Sequence, residues 1–540
     1  MYDKDTITEI ENAVDDSFAS KLEDISYAQA VWTLLSVNED YSLKAMHQAS
    51  DVEEMHIFAD VHLNALTYPL QRCLKKPSSG ATIIRRELIN EDYQLALDWI
   101  KASKDYSHFC SLFPLWHRQK IDVAVEGKRL VVHRPPGFTR EYEAYNRLVK
   151  KEGKAEANVP EIHEDLEDLL LAATTVSGDS FSVKFNRKLV AMLVSSLSPV
   201  LNARFSLPDD WAFTNFTLRD YRHIFVTIQS MLCAWQDVRT FLAAKRIPGL
   251  GYKSAVWIIA KDNFIVMLAH YTNIRRSIVE EVLDLITFGS NGINWPDIAT
   301  QPLIDLRNGS YALSPFVWLN SAAERNLCAL LNQVPMHRDA YSRLTNQKEG
   351  EMRKEIIEFL SPFGFDFEKG IVQGTDVDLA IIDRKRKVCL CLELKWFIEP
   401  AEIREVVDRS KDLHDGIEQA RKLNALHQAS DQRLVKDILK IDASYSFLSV
   451  VVSRNWIGHD EIQCPDVPII KVWHLLNKIK ECKGALLEPL VWLRDREYLP
   501  KHNVDYSIVP TEIACGEWRA NWYGIKPLAA GEKELIQPAP

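Results

Sequence analysis

Asp378, Glu393 and Lys395 are the residues whose types and spacing could do chemistry. They lie in Gly374-Thr-Asp-Val-Asp378-Leu-Ala-Ile-Ile-Asp383, then Arg384-Lys385-Arg386-Lys387, then Val388-Cys-Leu-Cys-Leu-Glu393-Leu-Lys395-Trp396. Two apolar runs flanking a polar four-residue turn predict an antiparallel hairpin. A turn centred between Lys385 and Arg386 sets Asp378 opposite Glu393, on one face with Cβ atoms ~5 Å apart. Lys395, two residues beyond Glu393, shares that face. Two carboxylates and an ammonium on an otherwise apolar hairpin are costly unless something compensates them. A divalent cation would do so, and oxygen ligands favour Mg²⁺ or Mn²⁺. Such a cation lowers the pKa of a bound water and stabilises charge on a phosphoryl oxygen. Lys395, its own pKa expected to be lowered by partial burial, would orient that water or stabilise the transition state.

The Asp…Glu-x-Lys pattern on adjacent strands resembles the PD-(D/E)XK, or restriction-endonuclease-like, nuclease superfamily. The resemblance spans about residues 345 to 480. It implies that Asp378 and Glu393 bind the metal and that Lys395 assists catalysis. Many members carry a glutamine on the helix after the hairpin, and Gly416-Ile-Glu-Gln419-Ala-Arg421 is similar. Many also carry a metal-supporting glutamate on the helix before it. Glu351 and Glu355 both fall there, with Glu351 the first choice as metal ligand, and the spacing does not decide between them. On that helix Ile356 and Leu360 are expected to pack on the sheet. The residue before Asp378 is Val377 rather than the proline of the family's name. The implied activity is Mg²⁺-dependent phosphodiester hydrolysis, above all in DNA. By analogy the setting is phage defence or repair. A non-catalytic nucleic-acid-binding or scaffold protein retaining the same fold is the alternative.

A second motif is Arg246-Ile-Pro-Gly249-Leu-Gly251-Tyr-Lys253. It weakly resembles the turn of helix-hairpin-helix DNA-binding motifs. Gly249 and Gly251 would let backbone amides approach a phosphate, and Lys253 would add charge. The competing reading is an ordinary turn between buried helices. Arg384 to Lys387 reads as a solvated turn, at the hairpin end away from the carboxylates.

The elements that must position these residues follow from the pattern. A helix from Glu349 to Leu360 precedes the hairpin. A long charged helix, an apolar strand from Phe447 to Val452, and Val467 to Val472 leading into another helix follow it. That order predicts an α/β domain around a central mixed sheet. Upstream, Ala28 to Ala49 and Val52 to Leu74 have helical spacing, and Ile121 to His133 alternates like a hairpin. The chain divides into a mostly helical region with a β-hairpin (1–150), a helical region (151–344), the nuclease-like domain (345–480) and an irregular or β extension (481–540).

Composition bounds the rest. The 540 residues are 46% hydrophobic and 26% charged, ordinary for a globular protein. A net charge of -10 excludes a polycation that holds nucleic acid by bulk attraction, so phosphate contacts must be local. No apolar run reaches the ~18 residues of a membrane span, and the N-terminus lacks a secretory signal pattern. Nine cysteines without zinc-like spacing suggest a reducing cytoplasm. No Walker A pattern appears, so a motor, if one is needed, is another chain. The expected partner is nucleic acid, with a partner protein or a second copy of the chain left open.

Overall fold

The structure, a computed structural model, describes residues 4–18, 21–46, 52–77, 83–133, 139–149, 164–202, 205–244, 250–345, 347–397, 403–454, 457 and 464–528. The protein is a multidomain α/β protein with two compact units. One comprises Val14–His108 and Lys154–Leu344; the other comprises Met1–Ala13, Phe109–Gly153 and Thr345–Pro540. This regroups the four regions read from the sequence. The upstream hairpin region and the C-terminal extension join residues 345–480, while most of the first 108 residues join 154–344.

The first unit is mainly helical, with long helices at Tyr27–Met46, Val52–Leu74 and Leu218–Ala244. Glu39 and Arg239 form an ion pair in its interior, with Nη1 3.4 Å from Oε2 and both side chains almost fully buried. A buried pair is tolerable only when its remaining hydrogen-bonding capacity is met. Here Glu39 also accepts from the Ser314 hydroxyl and the Phe316 amide, and Arg239 Nε donates to the Gly251 carbonyl.

The second unit contains two sheets. Strands β1 (Asp122–Glu126) and β2 (Arg129–His133) form the hairpin expected near Ile121–His133, with Gly127 at φ +63° in its turn. Helix α1 (Glu141–Leu148) follows. The chain re-enters this unit through α2 (Lys348–Leu360), then β3 (Asp366–Val372), β4 (Thr375–Asp383) and β5 (Val388–Lys395). Helix α3 (Ile403–Gln428) leads to β6 (Ser446–Ser453), β7 (Ile469–Lys471), α4 (Val472–Glu481) and α5 (Leu487–Arg494). Strands β8 (Tyr506–Cys515) and β9 (Trp518–Pro527) close the chain. Within the C-terminal extension, residues 506–527 thus form a regular hairpin, and β9 pairs in parallel with β2 through Arg519–Arg129 and Ala520–Leu130.

The larger sheet has the order β7-β6-β5-β4-β3. Its β3-β4-β5 meander is antiparallel, and β5-β6-β7 is parallel, so it is the mixed sheet expected. Parallel β5 and β6 need a crossover, which α3 supplies. Strand alternation sends Leu379, Ile381, Leu390, Leu392 and Leu394 into one core with Met352, Ile356 and Leu360 of α2. Val377, Ala380, Ile382, Cys389 and Cys391 enter the opposite core, under Leu423 of α3. Ile356 and Leu360 therefore pack as the helical spacing predicts, and the two cysteines are apolar filling.

The first core also holds Tyr142 and Tyr145 of α1, both fully buried. The Tyr145 hydroxyl lies 2.7 Å from His474 Nδ1. The Tyr498 hydroxyl accepts from the Ile469 amide and lies 3.4 Å from that of Tyr142. Residues two hundred positions upstream thus complete the interior of the α/β domain.

Candidate active site

The β4–β5 register decides where the charged residues meet. Asp383 pairs with Val388 and Leu379 with Leu392. Continued by one position, this register sets Asp378 opposite Glu393, at the end of the ladder. There the Asp378 carboxylate takes over the role of a strand partner: Oδ2 accepts the Leu394 amide at 2.9 Å. Asp378, Glu393 and Lys395 share the face covered by α3, and Lys395 Nζ lies 2.9 Å from Glu393 Oε1.

Burial shapes the electrostatics. It pushes the Glu393 carboxyl up to about 8, with the Asp378 charge adding to the rise and Lys395 opposing it. Asp378 is raised too, by burial first, against the Leu394 hydrogen bond. For Lys395 the outcome reverses the sequence expectation. Burial disfavours its charge, but Glu393, Glu349 and Asp378 together outweigh it and the pKa rises. Lys395 is thus held protonated by the carboxylates around it.

Glu351 and Glu355 do not turn toward this cluster as the sequence reading expected. Glu351 pairs with Lys354 at 2.8 Å, one turn along its own helix, and Glu355 pairs with Arg454. The α2 glutamate that interacts electrostatically with Lys395 and Asp378 is Glu349, raised by burial first. The physical reason is helical phase. Lys348, Met352, Ile356 and Leu360 form the buried stripe of the helix, and Glu349 stands beside it, three residues before Met352. That signal was present in the sequence. Asp376 stands two residues before Asp378 on β4, and its charge raises Asp378 and Glu393. Arg353 brings a cation to the rim, donating to the Asp378 carbonyl at 2.6 Å with Nη2 3.9 Å from Oδ1.

Helix α3 roofs the cluster. Gly416 faces Glu393 and Lys395 directly, and Gln419 follows less than one turn later. Gln419 Oε1 and Glu393 Oε2 are both buried without a protein partner. An unmet oxygen on Glu393, with the Glu393 and Asp378 carboxyls both of raised pKa, fits a bound cation, which would satisfy the former and relieve the latter. Among the described residues, no group of three or more His, Cys, Asp or Glu side chains is gathered for a metal. The fit therefore rests on the Asp378–Glu393 pair.

Only part of the helix-hairpin-helix candidate lies among the described residues. Gly249 lies outside the described residues. Leu250–Lys253 is a single helical turn, and Gly251 there offers its carbonyl to Arg239. The Lys253 ammonium is paired with Asp179 at 2.7 Å. The basic turn of the β4–β5 hairpin is likewise tied down. Arg384 pairs with Asp366, Arg386 with Asp383, and Lys387 donates to Ser444.

In comparisons with family models, curated proteins and solved structures, no match to this chain was found. No helix among the described residues is long and apolar enough to cross a membrane.

Proposed function

We propose that the α/β unit is a restriction-endonuclease-like, metal-dependent nuclease that hydrolyses phosphodiester bonds in DNA. The observation that carries this reading is Glu393: a buried carboxyl, raised to about 8, with one oxygen on Lys395 and the other on nothing. Such an arrangement costs folding free energy, and a site that uses it explains why it persists. Asp378 and Glu393 would hold Mg²⁺ or Mn²⁺, with Glu349 rather than Glu351 as the supporting carboxylate. When bound, the cation supplies Lewis acidity toward a phosphoryl oxygen and lowers the pKa of water.

The chain's own residues account for the remaining roles. The Leu394 amide fixes Asp378 in orientation through Oδ2, while Oδ1 lies 3.9 Å from the Arg353 guanidinium. Lys395, whose charge burial disfavours but the neighbouring Glu393 favours more, serves as a fixed positive charge against the developing phosphorane rather than as a base. Gln419 offers a buried carbonyl to orient a water. Arg353 and Arg454 provide local positive charge for a phosphate backbone. Arg454 stacks over Trp396 at 4.0 Å and pairs with Glu355. Local charge is what a chain of net charge -10 requires to engage DNA.

The experiment is incubation of the full chain with plasmid, linear and single-stranded DNA and with RNA, in Mg²⁺, Mn²⁺ or EDTA. Cation-dependent cleavage of DNA is expected. Binding of nucleic acid with no cleavage under any condition would instead support the non-catalytic alternative.

A further inference from the structure

Gly416 lies in the interior of α3, where the backbone is helical and no left-handed conformation demands glycine. Alanine would be the better helix former there. The reason for glycine is instead on the facing strand. A Cβ at this position would stand 2.9 Å from Lys395 Cε, 3.4 Å from Glu393 Cγ and 3.6 Å from Val451 Cγ1. The last two are ordinary contacts; the first is closer than two carbons approach without movement. Lys395 is the yielding partner, because Cε is near the far end of a flexible side chain, whereas Glu393 and Val451 are almost fully buried.

We propose that Gly416 is a positioning residue: its missing side chain leaves beneath α3 the room the Lys395 stem occupies when its ammonium stands against Glu393. The helix confines the stem from above, and the Glu393 carboxylate fixes the tip at 2.9 Å. A methyl group at 416 displaces the stem before it displaces the strand, since the backbone of β5 is paired with β6 as far as Lys395–Ser453. The charge that is proposed to face the phosphoryl group then loses its fixed place. The contact stands on geometry alone, whereas its consequence for cleavage rests on the nuclease reading.

A double-mutant cycle on the full chain tests it, with thermal unfolding read in EDTA and plasmid cleavage read in Mg²⁺. With Lys395 present, Gly416→Ala should lower the unfolding midpoint and cut kcat at least tenfold with little change in KM. In the Lys395→Ala background the same substitution should raise the midpoint, because the collision is gone and alanine favours the helix. There it should cost no further activity. Failure of Gly416→Ala to fold while Gly416→Ala/Lys395→Ala folds would also support the proposal. An equal shift in both backgrounds, or failure to fold in both, overturns it, because the methyl group would then meet something other than Lys395. Should the stability cycle behave as expected while the wild type cleaves nothing, the nuclease reading fails and the positioning role of Gly416 stands.

Discussion

Lys395 Nζ lies 2.9 Å from Glu393 Oε1, while Oε2 of the same carboxyl is buried without a donor. One oxygen is thus neutralised and the other left open, on the face of the sheet that α3 covers. A purely structural ion pair gains nothing from this half-satisfied state, because an unmet buried acceptor costs about 1–3 kcal/mol. The same geometry leaves a buried acceptor that a bound cation, as proposed, would satisfy.

The raised Glu393 carboxyl makes stability depend on pH with a defined sign. The folded protein holds this proton more tightly than the unfolded chain does. The contribution is therefore full below the ordinary carboxylate range and is lost as pH rises through about 8. In EDTA, the wild type should lose stability between pH 5 and 9 relative to Glu393→Gln, by on the order of 3 kcal/mol. Urea unfolding at several pH values checks this, and parallel curves for the two proteins would refute the assigned shift. Cation binding requires the deprotonated carboxylate, so Mg²⁺ affinity should weaken as pH falls below 8.

Replacing the cluster residues should separate folding from cleavage. Asp378→Asn keeps an acceptor for the Leu394 amide, whereas Asp378→Ala strands that amide and should cost about 1 kcal/mol. Both should lose cleavage by several orders of magnitude, as should Glu393→Gln. Lys395→Ala should retain cation binding and lose most activity. Binding of DNA should survive all four changes, since backbone contacts come from other residues. Cleavage at near wild-type rate by well-folded Lys395→Ala would show that the ammonium has no part in the reaction.

The hairpin register was legible because side-chain period and turn position are local properties: Asp378 and Glu393 are symmetric about the Lys385–Arg386 bond. Spacing on α2 left Glu351 and Glu355 open as metal ligands, whereas the α2 glutamate that acts on Lys395 and Asp378 is Glu349. Only the buried stripe of Lys348, Met352, Ile356 and Leu360 fixes helical phase, and Glu349 stands beside it, three residues before Met352. The sign of the Lys395 shift depended on how many carboxylates gather around it, which no pairwise spacing reveals. Least legible was α1, since nothing in Glu141–Leu148 announces that its tyrosines enter a core assembled from residues after 345.

The α2 glutamates give a direct comparison. Glu349→Gln removes a charge that interacts with Lys395 and Asp378, and should weaken Mg²⁺ dependence of cleavage roughly tenfold or more. Glu351→Gln and Glu355→Gln remove partners of Lys354 and Arg454, and surface pairs of this kind contribute ~1 kcal/mol or less. They should leave the Mg²⁺ titration nearly unchanged. A larger effect from Glu351→Gln than from Glu349→Gln would restore the original ligand assignment.

The dependence of the α/β domain on α1 predicts how it behaves when cut out. A fragment beginning at Thr345 retains all the cluster residues but lacks Tyr142 and Tyr145, both fully buried in its core. It also lacks β2, the strand that pairs with β9. Loss of one large buried aromatic costs about 3–5 kcal/mol, and domain stability is typically 5–15 kcal/mol. Two such losses with an opened sheet edge should leave the fragment unfolded or aggregated. In the full chain, Tyr145→Phe should cost less than Tyr145→Ala, because it forfeits the contact with His474 Nδ1 but keeps the ring. Linking residues 109–149 to 345–528 should restore a cooperative unfolding transition that the shorter fragment lacks. Sharp cooperative unfolding of the fragment 345–528 alone would show that the upstream tyrosines decorate this core without completing it.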